Sequence, residues 1–183
     1  MPLRLWWACC VLICAAVSVK AEEPVAGFNW DNWAKALNDS PCNWFSAEQW
    51  QQLLGTDYQM QASTSKDATR CQFSNSAQTP LLSISIRSLQ SNTAVNAERD
   101  GMLQQINQYG SGRFEQLPTT RQAVTAILRK DKQQLFIFAN NNNETAFILL
   151  SGHPIRTDSA EQKTLRKARL RQTAEQIFSQ FSF

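Results

Sequence analysis

The sequence predicts an α+β fold, in which an antiparallel sheet of about six strands is covered by helices on both faces and followed by a long C-terminal helix. Two observations lead to this prediction. Apolar and polar residues alternate through several short segments, the pattern of half-buried strands. Between and after these segments, apolar residues recur at the spacing of amphipathic helices.

The first 21 residues differ from the rest and are predicted to be a cleaved signal peptide. Arg4 supplies a positive charge, a continuous apolar run follows, and Val19–Ala21 places small residues at the cleavage positions. The apolar run is shorter than the roughly 20 residues that a spanning helix needs. An uncleaved membrane anchor is the alternative. Residues 22–183 are expected to form a single globular domain without a transmembrane span.

Charge and export restrict the possible partners. Removal of the leader takes Arg4 and Lys20 from the 18 basic residues and leaves 16 against 15 acidic ones. Such a near-neutral chain gives no support for a nucleic-acid partner, for which strong net basicity is expected. We expect an exported protein, periplasmic in the first instance, with an extracellular location as the alternative.

Cys42 and Cys71 are the two cysteines that remain after leader removal. In an oxidising compartment an even cysteine count predicts a disulfide, and only one pairing exists. Closing a loop of about thirty residues would contribute roughly 3 kcal/mol to stability. A reactive thiol pair is the alternative, and a spacing so unlike C-x-x-C argues against it.

The elements before the sheet are two short helices. Residues 29–39 have helical spacing and end before Pro41, because a residue that precedes proline is displaced from the helical region. A second helix opens at Ser46, whose hydroxyl fits a capping box with Gln49. Gly55 suits the left-handed position at its end.

The first three strands are predicted by alternation in Tyr58–Ala62, Cys71–Phe73 and Leu82–Ile86, and all three are expected to be half-buried. A helix then follows over Val95–Tyr109, with Gly110 placed to end it.

The second half of the sheet is predicted to be a meander, preceded by a candidate short strand at Arg113–Leu117. Its three strands are Ala123–Arg129, Gln134–Ala139 and Thr145–Leu150. The last of these is almost continuously apolar, so we expect it to be buried on both faces. The terminal helix begins near Ser159, which fits a second capping box with Gln162.

One motif carries a resemblance to a known family. It reads Pro41-Cys42-x-x-Phe45-Ser46-x-Glu48-x-Trp50-x-x-Leu53-Leu54-Gly55, then Cys71-Gln72-Phe73 and an alternating strand. This pattern is similar to small exported domains of unknown function from bacterial envelopes, and the order of elements resembles the PsbP-like α/β fold. The resemblance implies a fold, a disulfide and an envelope location, but no catalytic residues. PsbP-like domains act as binding or assembly subunits.

Members of the similar family are often lipoproteins. In this chain Ile13 precedes Cys14 and Cys9 precedes Cys10, where a lipoprotein cleavage site would have a small residue, so we expect no lipid anchor.

Residue types for catalysis are scarce. His153 is the single histidine, so a zinc site would lack ligands, and we expect no metal and no cofactor. No phosphate-binding or dinucleotide-binding glycine motif occurs. The alternative is a small secreted hydrolase that uses surface carboxylates or Ser151 with His153.

The terminal helix carries a basic cluster that is a candidate binding surface for an acidic partner or an anionic membrane. It consists of Lys163, Arg166, Lys167, Arg169 and Arg171. A solvated helix face is the alternative. A candidate carbohydrate or ligand platform consists of Trp30, Trp33, Trp44 and Trp50, with core packing as the alternative. We therefore expect a non-catalytic envelope protein that binds a protein or an envelope component, with an inhibitor or immunity-type protein as one variant.

Overall fold

Seven strands form one antiparallel sheet in the computed structural model, which describes residues 35–66, 68–87, 92–119, 124–141 and 144–181. The strands are β1 (Gln59–Thr64), β2 (Ala68–Ser74), β3 (Pro80–Arg87), β4 (Phe114–Leu117), β5 (Val124–Arg129), β6 (Gln134–Asn141) and β7 (Glu144–Ser151). Their order across the sheet is β1-β2-β3-β7-β6-β5-β4. The candidate short strand is present as β4, which raises the predicted count of about six to seven.

Three complete α-helices and one 3-10 turn accompany the sheet in the described part of the chain. They are the turn at Pro41–Asn43, α1 (Ala47–Leu54), α2 (Asn92–Tyr109) and α3 (Ala160–Phe181). Both predicted capping boxes are confirmed: Ser46 and Gln49 exchange hydrogen bonds at the start of α1, and Ser159 and Gln162 do so before α3. Of the predicted first helix, residues 35–37 are helical, and residues 29–34 lie outside the described part of the chain.

The chain builds the sheet as two meanders that meet in its centre. Strands β1 to β3 form the first, and α2 leads from β3 to the opposite edge, where β4 begins the second. The returning strand β7 pairs antiparallel with β3, so that Ile84 lies opposite Leu150. The centre of the sheet is therefore formed by two strands far apart in sequence.

Two clusters of buried side chains take alternate residues from the central strands, because successive side chains of a strand point to opposite faces. Along β6, Leu135 and Ile137 belong to the first cluster, and Phe136 and Phe138 belong to the second. The first cluster also contains side chains of α1 and α3, and the second contains side chains of α2. Both clusters include residues of β7, which confirms that this apolar strand is buried on both faces.

Strand β1 departs from the prediction of a half-buried strand. All six of its residues are exposed, although apolar and polar side chains alternate along it. Among the described strands it pairs with β2 alone, and its side chains remain exposed.

Within the part of the chain that the structure describes, no helix is both long enough and apolar enough to cross a bilayer.

Candidate functional site

The disulfide anchors the 3-10 turn to the sheet. Cys42 in the turn is bonded to Cys71 in β2, with their Cα atoms 5.1 Å apart, and both residues are buried. The predicted pairing is thus present in the structure. The disulfide fixes the position of β2, the strand that pairs with β1.

Two of the four candidate platform tryptophans are buried beside this disulfide, and the other two, Trp30 and Trp33, lie outside the described residues. Trp44 is 5% exposed and Trp50 is 1% exposed. The indole N–H of Trp44 donates to the Ala36 carbonyl at 3.0 Å, and that of Trp50 donates to the Cys42 carbonyl at 3.2 Å. The Trp50 ring also lies 4.4 Å from the ring of Phe73. These contacts favour the packing alternative, because neither ring is presented to a ligand at the surface.

Arg166, in the middle of the basic cluster, is tied into the fold. It forms an ion pair with Asp158, with Nε 2.9 Å from Oδ2, and both side chains are largely buried. Its Nη1 also donates to the carbonyls of Pro80 and Gly152. The Ile155 N–H, followed by the Arg166 guanidinium, lowers the pKa of Asp158. Arg166 therefore fastens α3 to the ends of β3 and β7.

The other cations of the basic cluster divide into two groups. Arg169 donates from Nε to the Leu53 carbonyl at 3.1 Å, and burial lowers its pKa. Arg171 donates to Glu115 at 2.9 Å. Lys163 is exposed and Lys167 is half-buried. Three of the five predicted binding residues thus hold α3 against the rest of the fold, and two are left facing outward.

The hydrolase alternative named Ser151 with His153, and the structure does not join these two side chains by a hydrogen bond. His153 Nε2 forms a 2.9 Å hydrogen bond with the hydroxyl of Ser83, not with that of Ser151. Burial, together with the charges of Arg166 and Arg70, lowers the pKa of His153. Within the described ranges, the carboxyl groups with a resolved pKa shift are shifted downward, opposite to the direction that a general acid needs.

Metal ligation also lacks a suitable arrangement. In the described segments, no group of three or more histidine, cysteine, aspartate or glutamate side chains is placed to hold a metal ion.

The β1 edge of the sheet is long and uncharged. Its sequence, QMQAST, contains no charged residue and no proline, and all six residues are exposed. No further strand lies beyond β1 among the described residues. An edge strand leaves the backbone groups on its outer side unpaired, and natural proteins usually protect such edges with charge, proline or a cover. The β1 edge has neither charge nor proline.

The β4 edge, on the opposite side of the sheet, is short and charged. The strand has four residues, and Glu115 at its centre lies 3.3 Å from Lys130 and 2.9 Å from Arg171. Arg113, next to the strand, forms an ion pair with Asp131 at 3.4 Å. This edge has the features that discourage pairing with another chain.

The sequence did not predict two features of the half of the sheet that contains β1, β2 and β3. The alternation identified β1 as a strand but gave no sign that it would be an edge. The contacts of Ser83 with His153 and of Arg70 with Ser85 join residues 70 and 15 positions apart. No local motif marks these pairs, because they depend on which strands become neighbours.

Comparison with known proteins adds no name to these features. No family model, no curated protein and no solved structure matches this chain. The function is therefore inferred from the geometry of the described residues, above all from that of the β1 edge.

Proposed function

We propose that this chain is a non-catalytic, exported envelope protein that binds a partner protein by pairing its β1 edge with an extended segment of that partner. The location is periplasmic, with extracellular release as the alternative, and an inhibitor or immunity-type protein is one variant. The observation that carries the binding proposal is the uncharged edge strand β1, whose six residues are all exposed.

The chemistry of β1 fits an extended polypeptide as the occupant. Strand addition depends mainly on backbone hydrogen bonds, and alternate side chains provide specificity. The six residues Gln59–Thr64 offer such a backbone without a charge that must be matched. Met60, with almost half of its surface exposed, supplies an apolar contact beside that backbone. A folded partner with an exposed strand or a flexible tail has the complementary groups.

Export is supported by the leader pattern and by the buried disulfide. Residues 1–21 have the positive charge, the apolar run and the small residues at the cleavage positions that are typical of a signal peptide. Disulfides persist in oxidising compartments and are rare in the cytosol. The bonded pair of Cys42 and Cys71 agrees with an envelope protein.

We also propose the PsbP-like arrangement, with helices on both faces of the sheet. The two buried clusters support it, since α1 and α3 contribute to one and α2 contributes to the other. A fold of this kind acts as a binding subunit by analogy alone, because a fold does not determine a function.

The test is co-purification from native envelope extract with two matched variants. Ala62→Lys adds a charge to β1, and Gln116→Lys adds the same charge to β4; both residues are exposed. We expect the wild type and Gln116→Lys to retain the same protein and Ala62→Lys to lose it, because a lysine on an edge strand opposes strand addition. Light scattering at increasing concentration shows whether the partner is a second copy.

Two outcomes contradict the proposal. One is that the wild type retains no protein and remains monomeric. The other is equal retention by Ala62→Lys, which would place the binding surface away from β1.

A further inference from the structure

Two hydrogen bonds hold an arginine and a histidine side chain at the polar face of β2 and β3. Arg70 and Ser85 are cross-strand partners, and Arg70 donates from Nε to the Ser85 hydroxyl at 3.0 Å. Ser83, two residues earlier on the same face of β3, meets the His153 ring at 2.9 Å. Two serines on one strand therefore position a guanidinium and an imidazole.

The two serines are buried, whereas the two side chains that they hold are accessible to solvent. Ser83 and Ser85 are each 6% exposed, whereas Arg70 is exposed and His153 is half-buried. The Arg70 Nε is engaged by Ser85, and its two Nη groups have no hydrogen-bond partner in the part of the chain that the structure describes. The hydroxyls fix the two side chains, and the donors of Arg70 remain open to solvent.

The positive charge of Arg70 is not neutralised within the described residues, where it forms no ion pair. Arg166 and Arg171, in contrast, each face a carboxylate. The cross-strand neighbours on the same polar face are neutral, namely Gln61 beside Gln72 and Ser63 beside Arg70. The charged groups that act on His153 are Arg70 from β2 and Arg166 from α3, and both disfavour its protonation. Among the described residues, no carboxylate therefore pairs with Arg70.

We propose that Arg70 and His153 form a binding site for an oxyanion of the phosphate class, either free phosphate or the phosphate of a lipid headgroup. The Nη groups of Arg70 supply charge-assisted hydrogen bonds to the anion. A bound anion favours the protonated imidazole, so binding strengthens as the pH falls. This site does not depend on the β1 edge and is independent of the proposed partner binding.

The single histidine makes the test direct. Protein without a histidine tag is titrated with inorganic phosphate at constant ionic strength, and the proton NMR signal of His153 is followed as a function of pH. We expect a saturable change of this signal and an upward shift of the pKa of His153. Arg70→Gln should weaken phosphate binding by about tenfold or more, the loss expected for one charge-assisted hydrogen bond.

Arg87→Gln is the matched control. Arg87 is another exposed arginine, two residues beyond Ser85 on β3, and it is placed against Glu98 and the Phe147 ring. We expect this variant to bind phosphate like the wild type, and thermal melting shows that both variants remain folded. An equal response to chloride, or an unchanged response in folded Arg70→Gln, would overturn the proposal.

Vesicles distinguish the two sources of phosphate. Binding to vesicles that contain phosphatidylglycerol, lost in Arg70→Gln and absent with phosphatidylcholine alone, identifies a lipid headgroup. A response to inorganic phosphate without vesicle binding identifies the free anion. Either result supports the oxyanion site, whereas no response to phosphate or to vesicles contradicts it.

Discussion

The two edges of the sheet differ in the property that decides whether an edge can pair with another chain. At one edge, β1 exposes six uncharged residues; at the other, β4 has four residues and an acidic side chain between two cations. Both edges belong to the same antiparallel sheet, so the same backbone chemistry is available at each. A short strand and ion-paired charges disfavour pairing with another chain at the β4 edge, whereas the six residues of β1 include neither a charge nor a proline.

The two edges also differ in what supports them. The β1 edge lies on β2, which is bonded to the 3-10 turn through Cys71 and packed against α1 through Phe73 and Trp50. Phe114 of β4 is buried in the second cluster, and Glu115 is joined to α3 by its ion pair with Arg171. The open edge is therefore held in place through β2, whereas the closed edge is held by its own buried side chain and by charge.

The largest predicted effect is the loss of packing behind the open edge. Trp50→Ala removes an almost fully buried indole, and we expect a loss of about 3–5 kcal/mol in the free energy of unfolding. Tyr109→Ala is the control, because a side chain that is 80% exposed should change stability by no more than about 0.5 kcal/mol. Urea denaturation measures both variants. A Trp50→Ala loss as small as that of the control would contradict the core assignment of this ring.

A smaller effect is expected from removal of the disulfide. The Cys42→Ser/Cys71→Ser double variant should lose about 3 kcal/mol, because the bond restricts a long loop of the unfolded chain. For a chain of this size the melting temperature should fall by roughly 6–12 °C. Calorimetry of the variant, and of the wild type with and without reductant, checks this. A melting temperature that is unchanged after full reduction would remove the structural role of the disulfide.

The smallest effect is expected at the charged edge. Glu115→Gln breaks both ion pairs of β4, yet a partly exposed pair contributes only about 0–1 kcal/mol. The unfolding free energy should change within that range, and the difference from wild type should shrink as salt screens the charges. Denaturation at low and high salt tests this. A salt-independent loss of several kcal/mol in the free energy of unfolding would mean that Glu115 stabilises the fold by something other than its charge.

Local sequence signals predicted the elements well. The capping boxes at Ser46 and Ser159 are present, as are the cysteine pairing and the strands that the alternation indicated. These features are decided by neighbouring residues or, for the cysteines, by the existence of only one possible pair. The left-handed backbone at Gly55 and Gly110 follows the same local logic.

Long-range features could not be predicted in the same way. The pairing of β3 with β7 depends on the route of the whole chain and has no local marker. The use of Arg166 and Arg171 as structural side chains depends on Asp158 and Glu115, one of which lies on a distant strand. A run of basic residues in a sequence does not reveal which of them meet a carboxylate after folding.

The central claim is that β1 is the binding edge, and hydrogen–deuterium exchange on the chain with and without its co-purified protein tests it most directly. We predict slower amide exchange across Gln59–Thr64 in the complex and unchanged exchange across Phe114–Leu117. Unchanged exchange in β1, with protection at another surface of the same complex, would contradict the account.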